Sequence, residues 1–296
     1  MNKILITGAA GFTGVKACAY FLEEGYEVYG MVHKSTFKED KIKFVSCDLM
    51  NSEEVETVIK DIQPHYLLHL AGQNHSGISW EKPLQTFMVN ANGTLNLLEA
   101  VRLHSPHAKI IVVGSVIDYN PCSLAKPNHP YGLSKYVQTL LSSSWSSLYD
   151  LNIMIARPSN LIGPGPSNGI CSLLAKKIVM NEKNLTSEGF HFHNLLDQRD
   201  FLDVRDAIRA YQSIFKYGRK NKSYNIASGN NRTILEVLKA YKEFSSSDLE
   251  VTTDLFQRQE PIRVDTKEIK MLGWKPQHTF HESILETLNF HRGEVS

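Results

Sequence analysis

Tyr131 and Lys135 stand four residues apart in the stretch YGLSK, residues 131–135. On a helix that spacing projects both side chains from one face. An ammonium beside a phenol favours the phenolate and lowers the phenol's pKa, which suits a proton donor and acceptor working near neutral pH. Ser115, at the end of KIIVVGS (109–115), adds a hydroxyl able to hydrogen-bond a reacting carbonyl or alcohol. Taken alone, a YxxxK spacing is as well explained by chance or by helix packing. Its meaning depends on the rest of the chain.

Near the start, ITGAAGFTG places Gly8, Gly11 and Gly14 at three-residue spacing between an apolar run and a helix-compatible segment. Glycines there let the chain turn tightly and bring backbone N–H groups against a pyrophosphate, at a helix N-terminus that favours negative charge. The glycines, with Phe12 and Thr13 between them, therefore predict a dinucleotide site. Lys135 would then reach the nicotinamide ribose beside Tyr131. After the second strand an acid suits the ribose of NAD and basic residues suit the extra phosphate of NADP. His33 and Lys34 stand there, with no carboxylate in sequence until Glu39. NADP(H) is favoured, with NAD(H) as the alternative; as plain solvated loop residues the two would decide nothing. Asp48, in SCDL, is placed to meet the adenine edge. Leu49, then Leu70, Ala71 and Gln73 after the fourth strand, complete the expected cofactor contacts.

These residues need elements to hold them. KILITG (3–8), YEVYGMV (26–32), IKFVSC (42–47), HYLLHLAG (65–72), KIIVVGS (109–115) and NIMIARP (152–158) read as strands. Between them, 12–25, 52–62, 83–104 and 131–149 carry helical spacing, with Ser52 as a candidate cap for the second. Apolar strands alternating with helices predict a parallel sheet with right-handed crossovers, ligands gathering at its C-terminal edge. Beyond 158 the pattern loosens into turn-rich sequence and short helices, with KSYNIAS (222–228) as one more strand. The serine run SSSWSS (142–147) is expected on a polar helix surface, a close helix–helix contact being the alternative.

Of 296 residues, 42% are hydrophobic and 21% charged, with 32 basic against 31 acidic and a net charge of +1. Without a basic block interleaved with aromatics, nucleic acid is not expected as a partner. Cys18, Cys47, Cys122 and Cys171 are scattered, with no CxxC spacing, so neither a disulfide framework nor a zinc site is expected. His191 and His193 share a face in FHFH, but no cysteine or carboxylate neighbours them in sequence, and no metal is expected. The first apolar run stops at Thr7, too short for a signal peptide, and no run approaches the ~20 apolar residues needed to span a bilayer. A soluble cytoplasmic protein is expected.

GAAGFTG, Ser115 after the fifth strand and YGLSK together resemble the extended short-chain dehydrogenase/reductases (the NAD-dependent epimerase/dehydratase family), the group that acts on nucleotide sugars. Residues 69–101, IARPSNLIGPGPS (155–167), RDFLDVRDAIRAY (199–211) and LGWKP (272–276) resemble segments of GDP-4-keto-6-deoxymannose reductases and their dehydratase relatives. The resemblance implies an α/β fold: a Rossmann-type doubly wound parallel sheet with a smaller C-terminal α/β substrate-binding domain. It assigns residues 1–158 and about 200–228 to NADP(H), and about 159–199 and 229–296 to the sugar nucleotide.

Within that family, side chains around the sugar choose the reaction. The 4,6-dehydratases carry an aspartate and a glutamate after the catalytic serine or threonine; here Val116 and Ile117 stand there and transfer no proton. The 3,5-epimerase-reductases carry a cysteine at the second position, which Ile117 also lacks. Reduction of a 4-keto-6-deoxy sugar by NADPH is favoured, with catalytic Ser115, Tyr131 and Lys135. The alternatives are a 4-epimerase holding NAD tightly and, in another class, a non-catalytic NADP-binding regulator. The resemblance places Asn160 and Arg199 near the substrate pyrophosphate, and Arg258 and Glu260 near its phosphate and ribose. In the last pair the relatives' Arg-Pro-x-Asp is incomplete. His75 is a candidate hexose contact beside Ser115, and Asp118–Tyr119 matches an acid–aromatic pair of the reductases. Relatives pair through two long helices, so a homodimer is implied through 83–104 and 131–149, with the small Ser142–Ser144 permitting close approach.

Overall fold

The computed structural model describes the chain apart from residues 34–38, 120, 122–125, 186–188, 246, 248, 259, 261–262 and 295–296. In order come β1 (Lys3–Thr7), α1 (Phe12–Glu23), β2 (Glu27–Val32), β3 (Lys43–Ser46), α2 (Ser52–Ile62), β4 (Tyr66–His69), α3 (Ser76–Glu81) and α4 (Pro83–Phe87). A π-helical turn (Met88–Asn92) leads into α5 (Gly93–His104), then β5 (Lys109–Val113), α6 (Pro130–Leu148), β6 (Asn152–Pro158) and β7 (Asn160–Ile162). The remainder is α7 (Ile170–Glu182), β8 (Phe190–Asn194), β9 (Gln198–Asp203), α8 (Val204–Tyr217), β10 (Ser223–Ile226), β11 (Asn231–Thr233), α9 (Ile234–Phe244), β12 (Val251–Leu255), α10 (Lys267–Lys270) and α11 (Phe280–Glu294).

Two compact units share these elements. The first comprises Met1–Pro158, Ile208–Asn225 and Glu268–Trp274. Its sheet runs β10-β6-β5-β4-β1-β2-β3, with parallel pairing from β3 through β6. Leu5 is paired with Tyr29 on one side and Leu67 on the other. Ile4, Leu5, Ile6, Leu67, Leu68, Ile110, Ile111 and Val112 are all fully buried. Helices on both faces account for these unbroken apolar runs, each such side chain contributing about 1.5–3 kcal/mol by leaving water. The strand order reverses between β1 and β4, which opens a crevice at their C-terminal ends, where ligands of such sheets bind.

Three local readings differ from expectation. Asn51 caps α2, its side chain accepting from the backbone N–H groups of Glu53 and Glu54, and Ser52 is already helical. The Asn51 oxygen is placed to receive both amides, and its amide nitrogen also holds Glu54. The expected single helix 83–104 is interrupted by the π turn, which carries the fully buried Asn90. In the serine run, Ser142 and Ser146 are fully buried, four residues apart on the inward face of α6. Their hydroxyls donate to the carbonyls of Gln138 and Leu151. Small side chains are needed on that face, so those two are not polar surface, and Ser142 is closed to any partner subunit.

The second unit comprises Ser159–Ala207, Ile226–Lys267 and Lys275–Ser296. β9 lies between β7, parallel to it, and β11, antiparallel; β8 and β12 form a parallel pair. Leu174, Ala175 and Ile178 of α7, Val237 and Tyr241 of α9, and Ile284 and Leu288 of α11 share one core. A capping box, Thr233 with Glu236, starts α9. His191 and His193 do have a carboxylate partner, contrary to the sequence reading. Asp254 on β12 lies 3.2 Å from His191 Nε2 and 3.1 Å from His193 Nδ1. It is 61 residues from His193 and arrives only through the β8–β12 pairing. Among the described residues no group suited to a metal ion is found, and no helix is long and apolar enough to cross a membrane. Cys18, Cys47 and Cys171 are buried free thiols; Cys122 lies outside the described residues.

Candidate active site

The glycine turn closes on itself and on β4. Gly8 has φ +68°, and a β-carbon there would sit 2.9 Å from the Ala71 nitrogen. A β-carbon on Gly14 would lie 2.1 Å from the Gly8 carbonyl oxygen, so α1 can start this close to β1 only with glycine. Gly11 is the N-cap residue and offers no side chain to the first-turn amides of Phe12, Thr13 and Gly14. The free amides and the helix dipole suit an anion. The residues present therefore fit a dinucleotide pyrophosphate.

At the ends of β2 and β3, His33 Nε2 lies 3.5 Å from Asp48 Oδ2, both side chains about half exposed. Asp48 also accepts from the Met50 N–H at 2.9 Å. A carboxylate thus reaches the end of β2 after all, brought there by the neighbouring strand; Lys34 lies outside the described residues. Leu49 follows, its carbonyl held by Asn96 of α5 at 2.9 Å.

After β4, a buried polar network fixes the loop Leu70–Gln73. Thr7 Oγ1 accepts from the Ala71 N–H at 3.1 Å and pairs with His69 Nδ1 at 2.7 Å. His69 Nε2 pairs with Thr94 Oγ1 at 2.9 Å, which also receives Gln138 Nε2 at 2.9 Å. Asn90 spans the next step. Its oxygen accepts from the Gln73 N–H at 2.8 Å, and its nitrogen donates to the Gln73 carbonyl and Ser134 Oγ at 3.0 and 2.9 Å. Burial drives the His69 pKa down to about 3, with the Lys135 charge adding to the effect, so the ring is neutral. Thr7, His69, Asn90, Thr94, Ser134 and Gln138 were not singled out from sequence. The only signal was polar residues interrupting apolar stretches.

Ser115, Tyr131 and Lys135 are each 7% exposed and lie together beyond the end of β5. Lys135 Nζ donates to the Val113 carbonyl at 2.6 Å. Burial lowers its pKa to about 8, opposed by the charge of Asp118. Burial also pushes the Tyr131 phenol up to about 12, opposed by a hydrogen bond from Ser115 and assisted by Asp118. The expected lowering of the phenol by Lys135 is not what governs it here. Desolvation dominates, and the ammonium is directed at a backbone carbonyl. A phenol held this way keeps its proton at neutral pH and suits donation to a strongly basic alkoxide.

Two histidines cap helices, one of them beside Tyr131. His129 Nδ1 accepts from the Gly132 N–H at 2.7 Å at the start of α6, and its ring lies 5.8 Å from that of Tyr131. His75 Nδ1 accepts from the Ile78 N–H at 3.1 Å at the start of α3. Each ring presses on a glycine: a β-carbon on Gly132 or Gly77 would meet Cε1 at 2.7 or 3.0 Å. His75 is also tied to Gln73, through its own N–H to Oε1 and Gln73 Nε2 to its carbonyl.

In the second unit, Asn160 Nδ2 donates to the Asp200 carbonyl at 3.0 Å, beside Arg199 on β9. The Asp200 carboxylate is itself buried and accepts from Ser159, Ser228, Gly229 and Asn230, which fixes the strand carrying Arg199. Arg199, Arg258 and Glu260 are exposed.

The sequence matches the NAD dependent epimerase/dehydratase family over residues 4–227. It is 25% identical to the GDP-6-deoxy-D-mannose reductase of Pseudomonas aeruginosa, over 97% of this chain and 96% of that one. The structure of RMD from Pseudomonas aeruginosa complexed with NADPH matches with a TM-score of 0.82 at 23% identity, covering 99% and 100% of the two chains. At that identity the likeness is one of fold. The UDP-glucose 4-epimerase of Thermus thermophilus in complex with NAD matches with a TM-score of 0.84 at 26% identity, covering 98% and 99%.

Proposed function

The chain belongs to the NAD dependent epimerase/dehydratase family, and from that premise we propose that it reduces the C4 ketone of a nucleotide-linked 4-keto-6-deoxy hexose with NADPH. It is an oxidoreductase-type enzyme of the extended short-chain dehydrogenase/reductase kind. When bound, NADPH supplies the hydride. Tyr131 donates its proton to the forming alkoxide, Ser115 orients the carbonyl, and the Lys135 ammonium binds the nicotinamide ribose. The turn at Gly8, Gly11, Phe12, Thr13 and Gly14 receives the pyrophosphate. Leu70, Ala71 and Gln73 border the nicotinamide side; His33, Lys34, Asp48 and Leu49 border the adenosine. The first unit serves the cofactor, and the second contributes Asn160, Arg199, Arg258 and Glu260 to the sugar nucleotide.

One observation carries this reading: Tyr131, Ser115 and Lys135 are nearly buried together beyond β5, and the residues that follow Ser115 are the apolar Val116 and Ile117. Proton donation to a ketone is provided for, whereas elimination of water is not. The similarity to a GDP-6-deoxy-D-mannose reductase supports it. The 4-epimerase is the second reading, favoured by one feature: Asp48 beside His33 offers a carboxylate where the ribose of NAD would be met. The deciding assay follows NADPH oxidation at 340 nm with GDP-, UDP-, CDP- and dTDP-linked 4-keto-6-deoxy sugars, with NADH and Tyr131→Phe alongside. Tyr131-dependent ketone reduction is expected. NAD released on denaturation, with no ketone reduced, would make the epimerase the better account instead.

A homodimer through α4–α5 and α6 belongs to the same reading. Leu84, Met88 and Leu140 on these helices are 75%, 37% and 49% exposed, an apolar set suited to a four-helix contact. Light scattering at micromolar concentration is expected to give twice the chain mass. A cytoplasmic location fits the three buried free thiols.

A further inference from the structure

Between Ser115 and the start of α6 the chain makes a turn whose fastening was not legible in sequence. Gly114 N–H donates to the Ala156 carbonyl at 2.8 Å and Val116 N–H to the Pro158 carbonyl at 3.2 Å, which prolongs the β5–β6 pairing past Val113. Ile117 N–H donates to Ser115 Oγ at 3.2 Å, and Tyr119 N–H to the Gly132 carbonyl at 3.1 Å. Across this turn lies Arg157 of β6. Its Nε donates to the Ser115 carbonyl at 3.1 Å, and its Nη2 pairs with Asp118 Oδ1. The Asp118 side chain is 4% exposed.

An arginine that grips two groups at once fixes their separation in a way a point-charge lysine does not. Here the two groups are the backbone of Ser115 and the buried Asp118 carboxylate, whose charge acts on both Tyr131 and Lys135. Neither Asp118 nor Arg157 is required by the hydrogen-bond chemistry assigned to the Ser–Tyr–Lys set. A buried ion pair is also weak as a stability device, since desolvation offsets its attraction.

We propose that Arg157 and Asp118 form a positioning clamp: Arg157 sets Ser115 against Tyr131 and holds the buried Asp118 carboxylate in place beside them. The proposal rests on the ketoreductase reading, and equally on any reaction of this site that uses the same three residues. Opposing Asp118, burial lowers the Lys135 pKa to about 8. Among the described residues, Tyr131, one turn earlier on α6, holds its proton to about 12, and His69, on which the Lys135 charge acts, is neutral down to about 3. Burial also raises the Asp118 pKa, and the charge and hydrogen bond of Arg157 oppose that shift, so the Arg157 pair favours the ionised carboxylate.

The test uses the full chain in whichever reaction the wild type performs, ketone reduction or 4-epimerisation. If neither is detected, the functional reading fails before the clamp is tried. Given activity, Asp118→Asn is expected to lower kcat about tenfold with little change in KM. It should also move the alkaline limb of the pH–rate profile toward acid by about one pH unit, since removing the anion lets Lys135 lose its proton earlier. Arg157→Lys keeps the positive charge beside Asp118 but loses the grip on Ser115; kcat should fall about tenfold with the alkaline limb unmoved. Asp118→Glu should restore the limb. Thermal melts of each variant identify misfolding, and for any variant that does not fold, the Lys135 pKa shift is read in Asp118→Glu by NMR of its ε-carbon. An alkaline limb unmoved in folded Asp118→Asn, or unchanged kcat in folded Arg157→Lys, overturns the proposal. So does a Lys135 titration in Asp118→Glu that departs from the wild type.

Discussion

The surroundings of Tyr131 and those of Arg199 contrast sharply in how much they are fixed in advance. Tyr131, Lys135 and Ser115 are nearly buried, and the loop after β4 is held by hydrogen bonds from Thr7 and Asn90. Arg199 is exposed, although the strand beneath it is anchored by the buried Asp200. Groups that move protons gain from a dry, rigid setting, because orientation and local field decide the barrier. Groups that select a ligand can stay solvated until it arrives, and substitution there costs the fold little. The two regions should therefore respond to mutation along different axes, chemistry and stability in one, affinity in the other.

The sharpest test of that division is Tyr131→Phe. It removes the proposed proton donor while keeping the ring, so kcat should fall by about 10²–10⁴-fold with the fold intact. A loss below tenfold would break the assignment. Asn90→Leu should come next, read on stability. It strands both backbone groups of Gln73, and about 2–4 kcal/mol should be lost in denaturant melts. A change under about 0.5 kcal/mol would show the network to be ornamental.

The pH dependence sharpens the same contrast. Lys135 is charged below its lowered pKa of about 8 and neutral above it, while Tyr131, pushed up to about 12, keeps its proton throughout. Reduction should be flat up to about pH 8 and then decline as pH rises, by about tenfold per unit once Lys135 is mostly neutral. A profile flat to pH 10 would remove Lys135 from the rate. The smallest effect on the fold belongs to Arg199→Ala. Stability should change by less than about 0.5 kcal/mol, while KM for the sugar nucleotide rises about tenfold with kcat nearly unchanged. A large fall in melting temperature would place Arg199 with the rigid groups instead.

The parts legible in sequence were those whose chemistry lies within a few residues of itself. Gly8, Gly11 and Gly14 announce a turn by their spacing, with no room for a β-carbon at Gly8 or Gly14, and Tyr131 with Lys135 announces a helix face because four residues make about one turn. Contacts between distant segments were not legible. Asp48 meets His33 only because β3 lies beside β2, Asp254 meets His193 across β8 and β12, and Arg157 meets Asp118 across the β5–β6 edge. Asn51 and Ser52 are both good caps, and sequence alone could not choose between neighbours. The buried serines of α6 were not legible for a related reason, since a small hydroxyl needs no water once a nearby carbonyl takes it, Gln138 on the same helix for Ser142 and Leu151 just past it for Ser146.

The π turn at Met88–Asn92 has a genealogical consequence. Such a turn is a helix holding one residue more than regular α-helical winding accommodates. Each residue advances a helix by about 100°, so one extra residue puts everything upstream out of phase with everything downstream. Removing one residue between Met88 and Asn92 would let the helix relax to ordinary winding. It would also swing Leu84 and its neighbours about a quarter turn around the axis relative to Leu97 and Leu98, which pack in the core. Asn90 would lose its aim at Gln73. Chains of this lineage without the extra residue should therefore differ at two distant places together: the outward face of α4 and the side chain that holds the loop after β4.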